Sequence, residues 1–240
     1  MIVDCFTFYN ELDILKKRLK YLSPVVDKFV LVESTKTFRG NSKELFYEQN
    51  KKDFDEWKDK IIHVIVEDNP DDKNPWIREA HQRNCITRGL TELSVEDLVM
   101  ISDVDEVPKT EIIRKLHKSL DTISLHMITF NYSIEYFQTF EKWFGTVIST
   151  NKNVVDKTPQ YLRDNRWKFS HVEFGGWHFT SFGDVDFVSN KIHNFSHCND
   201  DDVDENMTET YMKEKLSHNG KFKLTPSPPE LIASLPDIFR

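Results

Sequence analysis

The sequence predicts a mostly parallel α/β sheet flanked by helices, with a mixed or antiparallel extension toward its C-terminal end. Three observations carry that expectation. Short apolar runs (IVDCF, KFVLVE, IIHVIV, LVMIS) recur through the first hundred residues. The stretches between them carry helical spacing or helix-ending signals. After about residue 122 the pattern changes to aromatic-rich alternation. A strand-helix-strand-helix succession argues for parallel strands joined by crossover helices on both faces of a sheet.

Taken in order, IVDCF reads as a first strand. In ELDILKKRLKYL the leucines at 12, 15, 19 and 22 fall three and four apart, the apolar stripe of an amphipathic helix. Asn10 is the expected cap of that helix, and Ser23-Pro24 its stop. KFVLVE is a buried strand, residues 51 to 58 a short helix, and IIHVIV a third strand. A proline-containing loop from Asn69 to Pro75 leads into a helix over about residues 77 to 90 that stops near Gly89. LVMIS follows as a buried strand, then DVDE, then a helix opened by Pro108. LHMITFNYSIEYFQTF and WKFSHVEFGGWHFTSF read as strands with short helices. NDDDVDE is a solvated loop before a helix in ETYMKEKL, and TPSPPELIASLP packs as a surface segment through Leu231, Ile232 and Leu235.

Composition narrows the function. With 240 residues, 38% hydrophobic and 12% aromatic, the chain can bury one sizeable core. A formal net charge of −8 argues against a nucleic-acid partner, since such affinity rests on Lys and Arg neutralising phosphates. The cysteines at 5, 85 and 198 have no CxxC spacing, so neither a disulfide framework nor a thiolate zinc site is signalled. The N-terminal residues lack the basic region of a signal peptide, and no apolar run approaches the ~20 residues that span a bilayer. A cytoplasmic location is expected, with peripheral membrane contact left open.

Neither GxGxxG nor GxxxxGK[ST] occurs, so any phosphate charge must be neutralised by something other than a glycine-rich cradle. ISDVDEVP, residues 101 to 108, places three carboxylates directly behind a buried strand. In open α/β sheets ligands lie beyond the carboxyl ends of the strands. In an extended segment Asp103 and Asp105 point to the same side, where hard oxygens suit Mg²⁺ or Mn²⁺ carrying a diphosphate. The competing explanation is a helix cap. GGWHF, residues 175 to 179, offers a close backbone approach at its two glycines, and His178 as a ligand completing the metal sphere with Asp105. In WIREAHQRN, either Arg83 or Arg78 faces phosphates, or the helix carries a charged face with i,i+4 pairing.

With DCFTFYNELDILKKRL, DKFVLVESTKTFRG, KIIHVIV, WIREAHQRN, ISDVDEVP and GWHF followed by Lys191, the chain resembles glycosyltransferase family 17 from about residue 2 to 197. The resemblance implies a GT-A fold, a divalent metal at the DxD motif, a nucleotide-sugar donor, UDP-GlcNAc in the family's best-known member, a glycan acceptor, and inversion at the anomeric carbon. It also implies a single domain with a donor-binding half over residues 1–121, an acceptor and metal-completing half over 122–198, and a helix and proline-rich tail over 199–240. Thr7, Phe8 and Glu33 would lie near base and ribose, and Arg83, Asp103 and Lys191 near the phosphates. The catalytic base is assigned to Asp186, ahead of Asp184, Glu173 and Glu135. Two other classes stay open on the residues alone. A metal-dependent nucleotidyltransferase or phosphohydrolase could use the same acidic pair. A non-catalytic carbohydrate-binding module could use Trp143, Trp167 and Trp177.

Overall fold

The computed structural model describes residues 1–116, 121–138, 142–182 and 224–240. In chain order the first half contains β1 (Ile2–Phe8), α1 (Leu12–Leu22), β2 (Lys28–Ser34), α2 (Phe46–Gln49) and β3 (Ile61–Val66), then α3 (Pro75–Asn84) and β4 (Leu98–Asp103). The second half adds β5 (Glu106–Pro108), α4 (Thr110–Ile113), β6 (Ile123–Asn131), β7 (Tyr136–Gln138) and β8 (Trp143–Thr150). These are followed by α5 (Asn151–Lys157), α6 (Pro159–Asp164), β9 (Ser170–Thr180) and β10 (Leu224–Pro226).

Strands β3, β2, β1 and β4 are neighbours in that order, and all three pairs are parallel. Beyond β4 the sheet turns mixed. Strand β8 pairs antiparallel with β4 and β6, β9 runs parallel to β6, and β5 pairs antiparallel with β9. This is the mostly parallel α/β sheet with a mixed extension that the sequence led us to expect.

Period-two alternation along the strands builds two cores. Phe6, Phe8, Phe29 and Leu31 join Leu15, Leu19 and Leu22 of α1 on one face. Val3, Cys5, Val30, Val32, Val99 and Ile101 join Ile86, Val154 and Leu162 on the other, under α3, α5 and α6. The leucine stripe is as expected: Leu15, Leu19 and Leu22 are fully buried and Leu12 partly so. Each buried leucine contributes about 1.5–3 kcal/mol over leaving it in water.

Four local expectations change. Asn10 does not cap α1; Glu11 holds the cap position without a side-chain cap bond, and its carboxylate accepts the backbone N–H groups of Tyr9 and Asn10 at 3.3 and 3.1 Å. The helix near 51 to 58 is a 3₁₀ turn, Lys51–Trp57, preceded by α2. The long helix before β4 is α3, capped by Asn74 with Pro75 in its first turn, and a separate 3₁₀ turn, Cys85–Gly89, that ends at the expected glycine. Pro108 does not open a helix. It is the last residue of β5, where it faces Gly176, and α4 starts at Thr110. A proline is tolerated at a strand end because no ladder donor is required there.

Gly176 explains how β5 and β9 pack so closely. A Cβ placed there would lie 2.5 Å from the Val107 carbonyl oxygen and 3.1 Å from the Pro108 Cα. Near the C-terminus Leu235 and Phe239 are buried and Leu231 is partly buried against the same core, whereas Ile232 is of intermediate exposure. The helix expected in ETYMKEKL lies outside the described residues.

Candidate active site

Strand β4 delivers its last residue, Asp103, on the same side as Val99 and Ile101, toward α3 and α6. Two helix-borne arginines meet it there. Arg83 of α3 donates to Oδ1 at 2.9 Å, and Arg163 of α6 donates to Oδ2 at 2.8 Å. Arg163 also forks onto Glu106 at 2.8 and 2.5 Å and donates to the Gly145 carbonyl at 2.6 Å. The other donors to Glu106 are the Trp143 indole N–H at 2.7 Å and the Asp103 backbone N–H at 3.2 Å. Arg83 is further engaged with Glu79 one turn earlier, at 2.8 Å, and with Gln160 at 2.6 Å.

Asp103 and Glu106 therefore tolerate each other because two guanidinium groups lie between and beside them. Burial by itself would raise the Asp103 carboxyl, but the charges of Arg163 and Arg83 override it and hold the group far below the usual carboxylate range. Burial opposes the charge on Arg163 as well, and Glu106 and Asp103 reverse that, keeping its guanidinium firmly protonated.

Arg18 of α1 fixes the backbone of the same turn. Fully buried, it forms a bidentate pair with Asp4 at 2.8 and 2.6 Å and donates to Ser102 Oγ at 2.7 Å. It also donates to the carbonyls of Asp103, Val104 and Glu106 at 3.2, 3.1 and 2.5 Å. Residues 104 and 105, between β4 and β5, form a turn, not the extended segment assumed for Asp-X-Asp spacing. Asp105 instead approaches His178, across the β5–β9 pairing, where the register sets Glu106 opposite His178 and the Phe179 N–H donates to the Asp105 carbonyl at 2.9 Å.

The Asp105 carboxylate oxygen lies 3.7 Å from His178 Nε2, and both side chains are about nine-tenths buried. That separation is longer than a hydrogen bond and shorter than the ~4.2 Å that two metal–ligand bonds of about 2.1 Å can span. His178 is held in place by stacking on Trp143, with ring centroids 4.7 Å apart and planes 17° from parallel; its Nδ1 is buried without a hydrogen-bond partner among the described residues. The carboxylate suits Mn²⁺ or Mg²⁺, and the imidazole beside it favours the transition metal Mn²⁺ over Mg²⁺, which takes oxygen ligands. Asp103 offers less as a direct ligand, since each of its oxygens already accepts from an arginine.

The remaining sequence-derived candidates are dispersed. Thr7 lies at the end of β1, in register with Asp103 and Val32. Phe8 is 2% exposed within the α1-side core. Glu33 is fully buried; its carboxylate accepts the Tyr47 N–H at 3.0 Å and meets His63 Nε2 at 3.1 Å, tying α2 to the sheet. Arg78 donates to the Phe38 carbonyl at 3.1 Å and also to the Asp72 carbonyl, holding loops together. Glu173 is engaged by Lys142 at 2.6 Å, by His126, and by His171 at 3.3 Å, and Glu135 is exposed. Asp184, Asp186 and Lys191 lie outside the described residues.

Sequence reasoning missed Arg18 and Arg163; it singled out Glu106 only as one of three clustered carboxylates and Trp143 only as a sugar-stacking candidate, not as partners in this centre. A signal existed for Arg18, which interrupts a leucine stripe at helical spacing while Asp4 interrupts an apolar strand. Nothing in the spacing of QYLRDNRW marks Arg163 as the partner of a segment some sixty residues earlier.

An acidic centre at the carboxyl end of β4, beyond a parallel sheet, is where α/β enzymes of this build take their ligands. The model of glycosyltransferase family 17 matches residues 1–220, and the chain belongs to that family, a family of transferases. Among curated relatives, the β-1,4-mannosyl-glycoprotein 4-β-N-acetylglucosaminyltransferases of Rattus norvegicus and Homo sapiens are each 27% identical over 115 residues, 45% of this chain. The match spans about a fifth of their length, 21% and 22%. Likeness to solved structures is distant and carries no functional weight. The galactosyltransferase LgtC has TM-score 0.42 and 10% identity over 98% of this chain and 99% of that one. HddC from Yersinia pseudotuberculosis has TM-score 0.44 and 11% identity over 73% and 90%.

Proposed function

We propose that this glycosyltransferase is metal-dependent and inverting, and that it moves GlcNAc from UDP-GlcNAc onto a hydroxyl of a glycan. The observation that supports the metal is the Asp105–His178 pair, 3.7 Å apart and buried, with an imidazole already oriented by Trp143. The donor and the inversion rest on family membership and on the likeness to N-acetylglucosaminyltransferases.

In this proposal Asp105 and His178 would hold the ion, and Asp103, with both oxygens ion-paired, would contribute negative charge beside it. Bound there, Mn²⁺ or Mg²⁺ supplies neutralisation of charge on the departing diphosphate. Arg83 and Arg163 act by orienting Asp103, which leaves Lys191 as the cation for the phosphates. Thr7 and the backbone at Phe8 border base and ribose, and Glu33 shapes that wall by anchoring Tyr47. Asp186 takes the acceptor proton from the side of the sugar opposite the leaving group.

Thermal denaturation against a panel of nucleotide sugars, with and without Mn²⁺, tests this. A ligand that binds only the folded state raises its stability by RT ln(1 + [L]/Kd). UDP-GlcNAc and Mn²⁺ together are expected to shift the midpoint more than the sum of their separate effects, and Asp105→Asn is expected to abolish that excess. A shift by UDP-GlcNAc that needs no metal, or one that survives Asp105→Asn, would overturn the metal assignment. Release of a nucleoside monophosphate without sugar transfer to any glycan would overturn the transfer of GlcNAc.

A further inference from the structure

On the α3 side of the sheet a second set of donors comes together that the proposed reaction does not use. His81 and Cys85 are four residues apart on the continuous helical stretch of α3 and the following 3₁₀ turn, so both lie on one face. Asp68, just beyond the end of β3, meets them. Cys85 Sγ lies 3.7 Å from His81 Nε2, and the same Nε2 lies 3.5 Å from Asp68 Oδ2. All three donor atoms fall within 4.8 Å of one another, the one such His/Cys/Asp/Glu group among the described residues.

We propose that Asp68, His81 and Cys85 form a binding site for a divalent cation of the zinc class, separate from the acidic centre at β4. The distances carry this. A tetrahedral ion with bonds of about 2.3 Å to sulfur and about 2.0–2.2 Å to nitrogen and oxygen sets neighbouring donors about 3.4–3.6 Å apart. The two separations from His81 lie within a few tenths of an ångström of those values, and the third, between Cys85 and Asp68, is within 4.8 Å, so binding requires those two donors at most to draw together. A thiolate, an imidazole and one carboxylate is a donor set that favours zinc over magnesium or calcium, which take oxygen ligands. Coordination releases the thiol proton to solvent as the Cys85 sulfur binds. The fourth position is open to water on the exposed Asp68 side.

One group competes. Arg88 forks onto Asp68 at 2.9 and 2.6 Å, and the ion must share or displace it. The pair is on the surface, with Arg88 42% and Asp68 58% exposed, so solvent screens it, but its bidentate geometry makes it a real competitor for the ion. The site would fasten the end of α3 to the loop after β3, on the helix that presents Arg83 to Asp103.

Cobalt(II) titration of the full chain is the test, because a cysteine sulfur on tetrahedral cobalt gives a ligand-to-metal absorption that carboxylate sites lack. The expected result is a band that saturates at one equivalent and is displaced by zinc. Cys85→Ser should abolish it, and His81→Gln, on a partly exposed side chain, should weaken binding by at least about tenfold. Arg88→Ala should tighten binding about twofold to fivefold by freeing Asp68. A band that persists in Cys85→Ser would assign the sulfur to Cys5 or Cys198 and overturn the site. So would the absence of a band at millimolar cobalt in the wild-type chain, or unchanged affinity in a folded His81→Gln variant.

Discussion

Replacing Arg163 by methionine would leave the Glu106 carboxylate, which has no exposed surface, without its cation and one Asp103 oxygen without its donor. Removing one partner of a buried ion pair costs about 3–5 kcal/mol, because the other charge stays buried and uncompensated. Arg163→Met is therefore expected to lower the unfolding free energy by about 3 kcal/mol in urea titrations at neutral pH; a loss below about 1 kcal/mol would show that the acidic centre does not depend on it. Glu173 supports a gentler expectation. The hydrogen bond from Lys142, and secondarily His126, draws its carboxyl down to about 2. Because the folded value lies below the about 4.3 of an unfolded glutamate, the folded chain binds fewer protons there as pH falls. The stabilisation is complete above about pH 4.3 and fades toward pH 2. Carbon-detected NMR titration should place the midpoint near 2, and Lys142→Ala should move it upward; an unmoved midpoint would remove Lys142 as its main cause.

At the scale of elements, what could be foreseen and what could not divide along one physical line. Periodicity is local, and it announced the leucine face of α1, the apolar strands β1 to β4 and the stop at Gly89. Ion pairs have no period. Arg18 reaches Asp4 across 14 residues, where only the break each makes in an apolar pattern hints at the pair, and Arg163 reaches Glu106 across 57, beyond any window that detects a helix or strand. Pro108 misled for a related reason: a proline reads as a helix start in isolation, and only the later strand β9 shows that Glu106–Pro108 has an antiparallel partner. The glycine pair in GGWHF was visible as a close approach, although not what it approaches. Since the atom nearest a Cβ at Gly176 is a backbone oxygen, Gly176→Ala cannot be absorbed by a side chain turning away. It is expected to cost about 1–3 kcal/mol, measured in urea, and to loosen Trp143–His178 stacking by shifting β9 against β5. A cost within experimental error would mean that the strands are free to separate.

Across the whole molecule, one sheet with two differently covered faces brings unlike duties to the same turn. Toward α3 and α6, Asp103 and Glu106 are bound into an arginine lattice; toward β9, Asp105 meets His178. The DVDE segment was found from the sequence, and its answer to charge repulsion was not, because both arginines come from helices far from it in the chain. Among the described residues no helix is long and apolar enough to cross a membrane. The two aspartates should then separate by experiment. Asp103→Asn removes the charge from two guanidinium partners at a side chain that keeps 30% exposure. Discounted for that solvent, its cost is about 1–3 kcal/mol, or about 2–12 °C in the melting midpoint of a chain this size. Asp105→Asn should abolish the further rise produced by Mn²⁺ with UDP-GlcNAc. If the two variants lose stability equally and both retain the metal-dependent rise, Asp105 is part of the same structural lattice and the ion belongs elsewhere.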